Sequence, residues 1–316
     1  MRYPIVKPET EEKKPGQVDP SFPKEKPVKV SVADILKLES ANETMAKAMQ
    51  SRVALQIAGP LVMEGEHTLL FADTNLGKSI FATQIALAAA SGNNCLPDLV
   101  NETGPKKVLY LDFELGPQQW GKRYANRDGK TLVESFQWPD NFTRAEIDPQ
   151  NLPTGNLGKF VLRAIEERIA SEGFEFVVVD NLTWLSDDTE NGDAAGALMK
   201  RFWMLVRELG IAMVTIAHTP KVPSHEPISL NHLAGSKRLS NFADAVFALG
   251  RDWRNPDSQV YLKQLKERAA GAKEFGSDNV MVMERTKPGN FLGFEQRHFA
   301  DEDEICEKPS VEEKRE

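Results

Sequence analysis

Residues 72–79, ADTNLGKS, combine the residue types that bind phosphate. They follow the apolar run TLLFA and precede the helical pattern SIFATQIALAAAS. Phosphate binding uses backbone N–H groups turned into a concave loop, the N-terminus of a helix, and a cation that reaches the terminal phosphates. Gly77 allows a close approach of the backbone, Lys78 supplies the cation, and the Ser79 hydroxyl can coordinate Mg²⁺.

This phosphate-binding loop departs at one position from the usual pattern G-x-x-x-x-G-K-[ST], because Ala72 stands where the first glycine is expected. The position lies at the exit of a strand, where a small side chain is sufficient, so we predict that the loop binds ATP with Mg²⁺. The residues expected to contact the nucleotide are Ala72, Asp73, Thr74, Asn75, Leu76, Gly77, Lys78, Ser79 and Ile80. The alternative is a chance G-K-S at the start of a helix.

Two more apolar runs end on carboxylates. FEFVVVD ends on Asp180, which we expect to hold Mg²⁺ with Ser79, unless it only caps the next element. VLYLDFEL carries Asp112 and Glu114, and hydrolysis of a phosphoanhydride needs a carboxylate that polarises the attacking water. A strand period of two places both side chains on one face, so the pattern does not choose between them. Glu114 is favoured because it lies nearer the strand exit.

A third apolar run, IAMVTIAH, ends on His218. A polar side chain at this point can contact the terminal phosphate and transmit its loss to the loop that follows. A histidine that only makes a structural hydrogen bond at a strand end is the alternative.

The elements that would position these residues alternate along the chain. From about residue 66, short apolar runs bounded by Gly, Asn or Pro alternate with amphipathic stretches. The runs are too continuous for half-exposed strands, which predicts a buried, mostly parallel sheet flanked by helices. Beyond residue 245 strand follows strand, in AVFALG, QVYLKQLK, NVMVMER and NFLGFEQ. We therefore expect an α/β fold with an antiparallel C-terminal extension.

The ends of the chain differ from this pattern. Residues 1–30 hold six prolines among mixed charges, which predicts a disordered N-terminal arm. Residues 31–54 show helical spacing and predict a small helical element. The main domain is expected over 55–300, and residues 301–316 hold eight acidic and three basic side chains, typical of an acidic C-terminal tail. We expect such a tail to improve solubility. The alternative is that it is a regulatory mimic of DNA.

Composition limits the function classes. No apolar run approaches the roughly 18–20 residues that cross a bilayer, and the N-terminus lacks the apolar core of a signal peptide. Two cysteines are too few for a disulfide framework. These features predict a cytoplasmic protein without a membrane partner. The net charge of -8 does not exclude nucleic acid, because a binding channel can be basic locally.

The order of the motifs resembles the RecA-like P-loop ATPases related to plasmid RepA hexameric helicases. The likeness covers roughly residues 55–300 and includes the Gly-Ser segment LAGSKRLSNFADAVFALGRD. It implies a RecA-like P-loop NTPase core, in which Lys78 and Ser79 contact phosphate and metal. It further implies Glu114 as catalytic base, Asp180 as the Walker B acid and His218 as sensor.

A second resemblance lies in LKQLKER, residues 262–268. Hexameric motors of the DnaB class place a Lys-x-Arg near the end of a late strand, from which it reaches into the neighbouring subunit's site. Lys266 and Arg268 have that form, and Arg268 would then act as an arginine finger. The finger requires a homo-oligomer, with a hexamer favoured. The alternative is that the pair belongs to a solvated strand face.

Two loops are candidates for DNA contact. The loop after Asp180 is acidic and would repel phosphates unless its carboxylates point elsewhere. These carboxylates are Asp187, Asp188, Glu190 and Asp193. The 219–238 loop is the better candidate, because it carries three basic residues that could line a pore. They are Lys221, Lys237 and Arg238.

The sequence thus predicts a Mg²⁺-dependent ATPase that works as an oligomeric, DNA-associated, helicase-like motor in replication or mobilisation of DNA. Two other classes remain. One is a regulatory or assembly ATPase on the KaiC or RadA side of the superfamily. The other is a nucleotide-switched interaction protein with little hydrolysis.

Overall fold

The computed structural model describes residues 35–152, 157–185, 192–219, 226–233, 237–268 and 273–306. The arm predicted for residues 1–30 and the end of the predicted tail, 307–316, lie outside these ranges. The chain divides into two units, Met1–Arg52 and Val53–Glu316, which are described separately.

The described part of the first unit contains one helix, α1 (Ala41–Gln50), inside the segment expected to be helical. It begins with a capping box: the backbone N–H of Glu43 donates to the Ser40 hydroxyl at 3.2 Å, and the Ser40 N–H donates to the Glu43 carboxylate at 2.8 Å. These bonds satisfy donors that a helix leaves free at its start. None of its residues is buried within the unit.

The second unit is built on a large sheet with two small hairpins beside it. The hairpins pair β1 (Gln56–Ala58) with β2 (Val62–Met63), and β5 (Ala125–Asp128) with β6 (Thr131–Ser135). The strands of the large sheet are β3 (His67–Ala72), β4 (Val108–Asp112), β7 (Phe142–Ala145), β8 (Phe176–Asp180), β9 (Ala212–His218), β10 (Ala245–Arg251), β11 (Gln259–Glu267), β12 (Val280–Thr286) and β13 (Gly293–Ala300).

The order of strands in the large sheet is β13-β12-β11-β10-β3-β9-β8-β4-β7 within the described ranges. The strands from β10 to β7 run parallel, and β11, β12 and β13 continue the sheet antiparallel. The predicted fold class, a mostly parallel α/β sheet with an antiparallel C-terminal extension, is confirmed. The central strands read as continuous apolar runs because helices cover both of their faces.

Helices lie on the two faces of this sheet. They are α2 (Lys78–Ser91), α3 (Pro117–Tyr124), α4 (Leu157–Glu172), α5 (Gly192–Leu209), α6 (Lys237–Phe242) and α7 (Glu302–Cys306). On one face of the sheet, α2 packs against alternate residues of the strands. On the other face, α4 and α5 pack against the remaining strand residues. No helix in the described ranges combines the length and the apolar character needed to span a bilayer.

The domain extends beyond its expected end. Residues 302–306, assigned from their charge to an acidic tail starting at 301, form α7 instead, and Glu302, Ile305 and Cys306 are buried. The correction has a physical reason, because the acidic Glu302 is neutralised by an ion pair with Lys263. The fold therefore continues at least to Cys306.

Candidate nucleotide site

Four parallel strands bring the predicted site residues to one edge of the sheet. Asp112 at the end of β4 pairs with Asp180 at the end of β8, and Ala72 at the end of β3 pairs with His218 at the end of β9. The carboxyl ends of neighbouring parallel strands share one edge, and ligands of open α/β sheets bind there. The candidate site lies at this edge.

The phosphate-binding loop turns sharply between β3 and α2. Asn75 has a φ of 66° and Gly77 a φ of 90°, both in the left-handed region. A Cβ on Gly77 would come within 2.7 Å of the Phe294 ring, so glycine is required there by backbone and by space. Gly77 also precedes α2, whose first N–H groups have no partner inside the helix. The loop therefore offers donors to an anion.

Ala72 fits its position without a glycine. It is the last residue of β3 and is fully buried in the core on the α2 face. Its methyl group thus lies in the protein interior, away from the concave side of the loop. The departure from the usual motif leaves the turn intact.

Lys78 is held inside the loop. Its side chain donates to the carbonyl oxygens of Ala72 at 2.8 Å and Asp73 at 3.0 Å. Burial lowers the pKa of Lys78, while the nearby carboxylates of Asp180 and Glu114 oppose this shift. A buried ammonium that is compensated largely by carbonyl oxygens is suited to a polyanion such as a triphosphate.

Asp180 supplies a buried carboxylate to the site. Burial raises the pKa of Asp180 to about 6, although hydrogen bonds from Ser79 and Tyr110 act in the opposite direction. The Tyr110 hydroxyl donates to the Asp180 carboxylate at 2.8 Å. A divalent cation would favour the ionised form of this buried carboxylate, so the donor set fits Mg²⁺.

The described residues hold no group of three or more His, Cys, Asp or Glu side chains placed to ligate a metal. Mg²⁺ bound at Ser79 and Asp180 would therefore depend on phosphate oxygens and water for its remaining ligands, as is usual for this ion.

The two carboxylates at the end of β4 have different surroundings. Asp112 is 1% exposed and accepts N–H bonds from Glu114 at 3.1 Å and Leu115 at 2.9 Å. Its other oxygen is paired with Arg144 at 3.0 Å. Asp112 therefore shapes the strand exit and has little capacity for a water molecule, whereas Glu114 faces the loop side of the edge.

Glu114 and His218 lie within hydrogen-bond distance, with 3.2 Å between the Glu114 carboxylate and Nε2 of His218. The hydrogen bond with His218 lowers the pKa of Glu114, against the effect of burial. Glu114 is thus held ionised, as a proton acceptor must be. Its role as base and the sensor role of His218 remain predictions.

Two further residues belong to this group and were not predicted. Asn181, directly after Asp180, has its side-chain amide 2.8 Å from Nε2 of His218 and also in contact with Glu114. Arg123 on α3 lowers the pKa of Glu114, and its Nη1 is buried without a hydrogen-bond partner among the described atoms. The only sequence signal for Asn181 was its place next to the strand-end Asp180, and Arg123 had none.

The predicted finger residues lie at the opposite edge of the sheet. Lys266 and Glu267 pair with the first residues of β10, which start alongside the start of β3. Lys266 donates to the carbonyl oxygens of Ser240 and Ala243, and Arg268 is paired with Asp244 at 3.0 Å. They do not join the site of their own subunit.

The loops considered for DNA lie largely outside the described residues. This holds for Asp187, Asp188, Glu190 and Lys221, and for the side chains of Asp193, Lys237 and Arg238. A cavity of about 690 Å³ lies on the α4 face of the sheet and includes none of the predicted site residues.

A family model described as an AAA domain matches residues 33–224, more than half of the chain. A crystal structure of a KaiC-like protein from the hyperthermophilic archaeon Pyrococcus horikoshii OT3 is similar with a TM-score of 0.50 and 14% identity. The alignment covers 77% of this chain and 99% of that chain. At this identity the likeness shows a shared RecA-like fold. No curated protein matches the sequence.

Proposed function

The chain belongs to the AAA-domain family, and on that premise we propose that this RecA-like ATPase domain hydrolyses ATP in the presence of Mg²⁺. The supporting observation is the convergence of Glu114 and His218 with the buried Lys78 and Asp180 at the edge where α2 begins.

Each residue of the site has a part in this reaction. The loop N–H groups and Lys78 bind and orient the phosphates, and Glu114 accepts the proton of the attacking water. Asn181 and His218 hold the Glu114 carboxylate in place. Mg²⁺, when bound by Ser79 and through water by Asp180, would neutralise charge on the phosphate oxygens.

His218 connects the site to the segment that follows it. The backbone N–H of the next residue, Thr219, donates to the carbonyl oxygen of Ala72 at 3.3 Å. A change in the contacts of His218 is therefore transmitted to a segment attached to the phosphate-binding loop. This supports the sensor role.

The test is phosphate release by purified protein carrying Lys78→Ala. We expect loss of turnover, because the buried cation that faces the phosphates is removed. Lys130→Ala, at an exposed hairpin turn, is the matched control and should retain activity. Unchanged turnover in Lys78→Ala would refute the proposal.

We further propose that the protein acts as a homo-oligomer, with a hexamer favoured and Arg268 completing the neighbouring site. The position of Arg268 at the far edge of the sheet supports this, because a role in catalysis would have to be exerted on a second subunit. Mixing Arg268→Ala with Lys78→Ala subunits tests this. Half of the mixed interfaces pair the intact loop of an Arg268→Ala subunit with the intact arginine of a Lys78→Ala subunit, so part of the activity should return. A mixture that stays inactive, although mass measurement shows mixed oligomers, contradicts the finger.

DNA association, with helicase-like work in replication or mobilisation, is the finer part of the proposal and depends on the 219–238 loop. Strand-separation and binding assays at low salt test it, since phosphate contacts weaken steeply with salt. Turnover that ignores DNA, with no binding at low salt, would instead favour a regulatory or assembly ATPase. Binding of ATP without phosphate release would favour a nucleotide-switched interaction protein.

A further inference from the structure

The last described helix reaches back to the segment that leaves His218. Glu302, the first residue of α7, is 1% exposed and forms an ion pair with Lys263 of β11. Its carboxylate accepts the backbone N–H of Ile228 at 3.0 Å and the Tyr261 hydroxyl at 2.9 Å. Lys263 in turn donates to the Ile228 carbonyl at 3.0 Å. One buried ion pair thus holds both backbone polar groups of Ile228.

Ile228 lies beside the phosphate-binding loop. A cavity of about 230 Å³ is lined by Asp73 and Leu76 of that loop, by Ile228 and by the last residue of α7. The other end of the same segment is attached to the loop as well, through the bond from Thr219 to Ala72. The chain that leaves the loop's neighbourhood at 219 therefore returns to it at 228.

Stability alone does not account for this ion pair. Two buried charges lose their hydration, and apolar side chains of similar size are often equally stabilising. The ion pair can also fix the orientation of Ile228. The Glu302 carboxylate accepts the backbone N–H of this residue, and the Lys263 ammonium donates to its backbone C=O. Apolar replacements could hold α7 in place but could not orient Ile228.

We propose that Glu302 and Lys263 are positioning residues of the nucleotide site. They fix Ile228 across a shared cavity from the phosphate-binding loop, so that the segment around Ile228 responds to nucleotide together with that loop. This inference rests on the proposed ATPase function. It makes α7 part of the site, although α7 contains none of the residues that face the phosphates.

The double variant Lys263→Met/Glu302→Leu separates orientation from stability, because it removes both charges and keeps apolar volume. Hydrogen exchange is measured for peptides covering 73–79 and 226–233, with and without a non-hydrolysable ATP analogue and Mg²⁺. We expect a urea midpoint close to wild type and exchange at 226–233 faster by about tenfold, since bonds to charged groups are lost. The analogue should still slow exchange at 73–79 but no longer at 226–233. The kcat should fall with KM unchanged.

Glu284→Gln/Arg297→Gln is the matched control, because it removes a partly exposed ion pair between β12 and β13. It should leave exchange and kcat unchanged. If the double variant does not fold, Lys263→Gln/Glu302→Gln removes both charges, keeps polar partners for Ile228 and should shift exchange in the same direction by less.

Exchange at 226–233 that stays at the wild-type rate in the Lys263 and Glu302 variants overturns the proposal. Faster exchange with an unchanged nucleotide response and unchanged kcat also overturns it, because the pair would then be structural only. Failure of the ATPase proposal gives a different result: the wild type itself then releases no phosphate, or the analogue leaves its exchange at 73–79 unaltered.

Discussion

We predict that His67 makes the stability of this fold depend on pH. It is the first residue of β3, fully buried, with Nε2 3.0 Å from the Thr215 hydroxyl and the ring edge against Phe202. Its Nδ1 is buried without a hydrogen-bond partner among the described residues. Burial lowers the pKa of His67 from 6.5 to about 3, so the imidazole is neutral in the folded protein at ordinary pH.

The direction of the effect follows from proton linkage. The unfolded chain binds a proton at His67 near pH 6.5, whereas the folded chain does so only near pH 3. The stabilisation is therefore complete above pH 6.5 and is lost progressively as the pH falls towards 3. One pH unit inside this window changes the free energy of unfolding by about 1.4 kcal/mol, so lowering the pH from 7 to 5 removes about 2 kcal/mol.

The variant His67→Phe keeps a ring at this position and removes the titrating group. Urea unfolding at pH 7 and pH 5 should show that wild type loses about 2 kcal/mol more than the variant over this interval. His298→Gln, at an exposed histidine on β13, is the control and should behave as wild type. Equal losses in wild type and His67→Phe would show that His67 is not the group responsible.

Three further changes test the site. Glu114→Gln should lower kcat by about 10²–10⁴-fold while nucleotide affinity, measured with a fluorescent analogue, is retained. Gly77→Ala should destabilise the fold by about 1–3 kcal/mol and abolish that binding, because the residue has a φ of 90° and a Cβ there lies 2.7 Å from a packed ring. Gly129→Ala, with a φ of 56° and open space around its Cβ, should cost less and keep binding. Tyr110→Phe removes a hydrogen bond to Asp180, so we expect half-maximal activity at a higher Mg²⁺ concentration by about tenfold.

The fold could be predicted because its strands carry an unambiguous signal. Strands buried on both faces read as continuous apolar runs, as in VLYLD and FVVVD, and loop residues interrupt them at each end. Helix α7 could not be predicted in the same way. Its sequence EDEIC is dominated by charge, and only the ion pair to Lys263, 39 positions earlier in the chain, allows Glu302 to be buried.

The positions of Asp180 and His218 at the ends of β8 and β9 could be predicted, because each residue closes a continuous apolar run. The different surroundings of Asp112 and Glu114 could not, because they depend on Arg144, which comes from another strand 32 residues away. Residues that act through a neighbour have no motif of their own, so Asn181 and Arg123 become visible only when distances are known.

The carbonyl oxygen of Ala72 accepts two donors, the ammonium of Lys78 at 2.8 Å and the amide of Thr219 at 3.3 Å. When the ammonium turns towards a phosphate, this oxygen keeps only the amide. The amide proton resonance of Thr219, the residue directly after β9, therefore offers a native spectroscopic reporter of nucleotide occupancy without any label on the nucleotide.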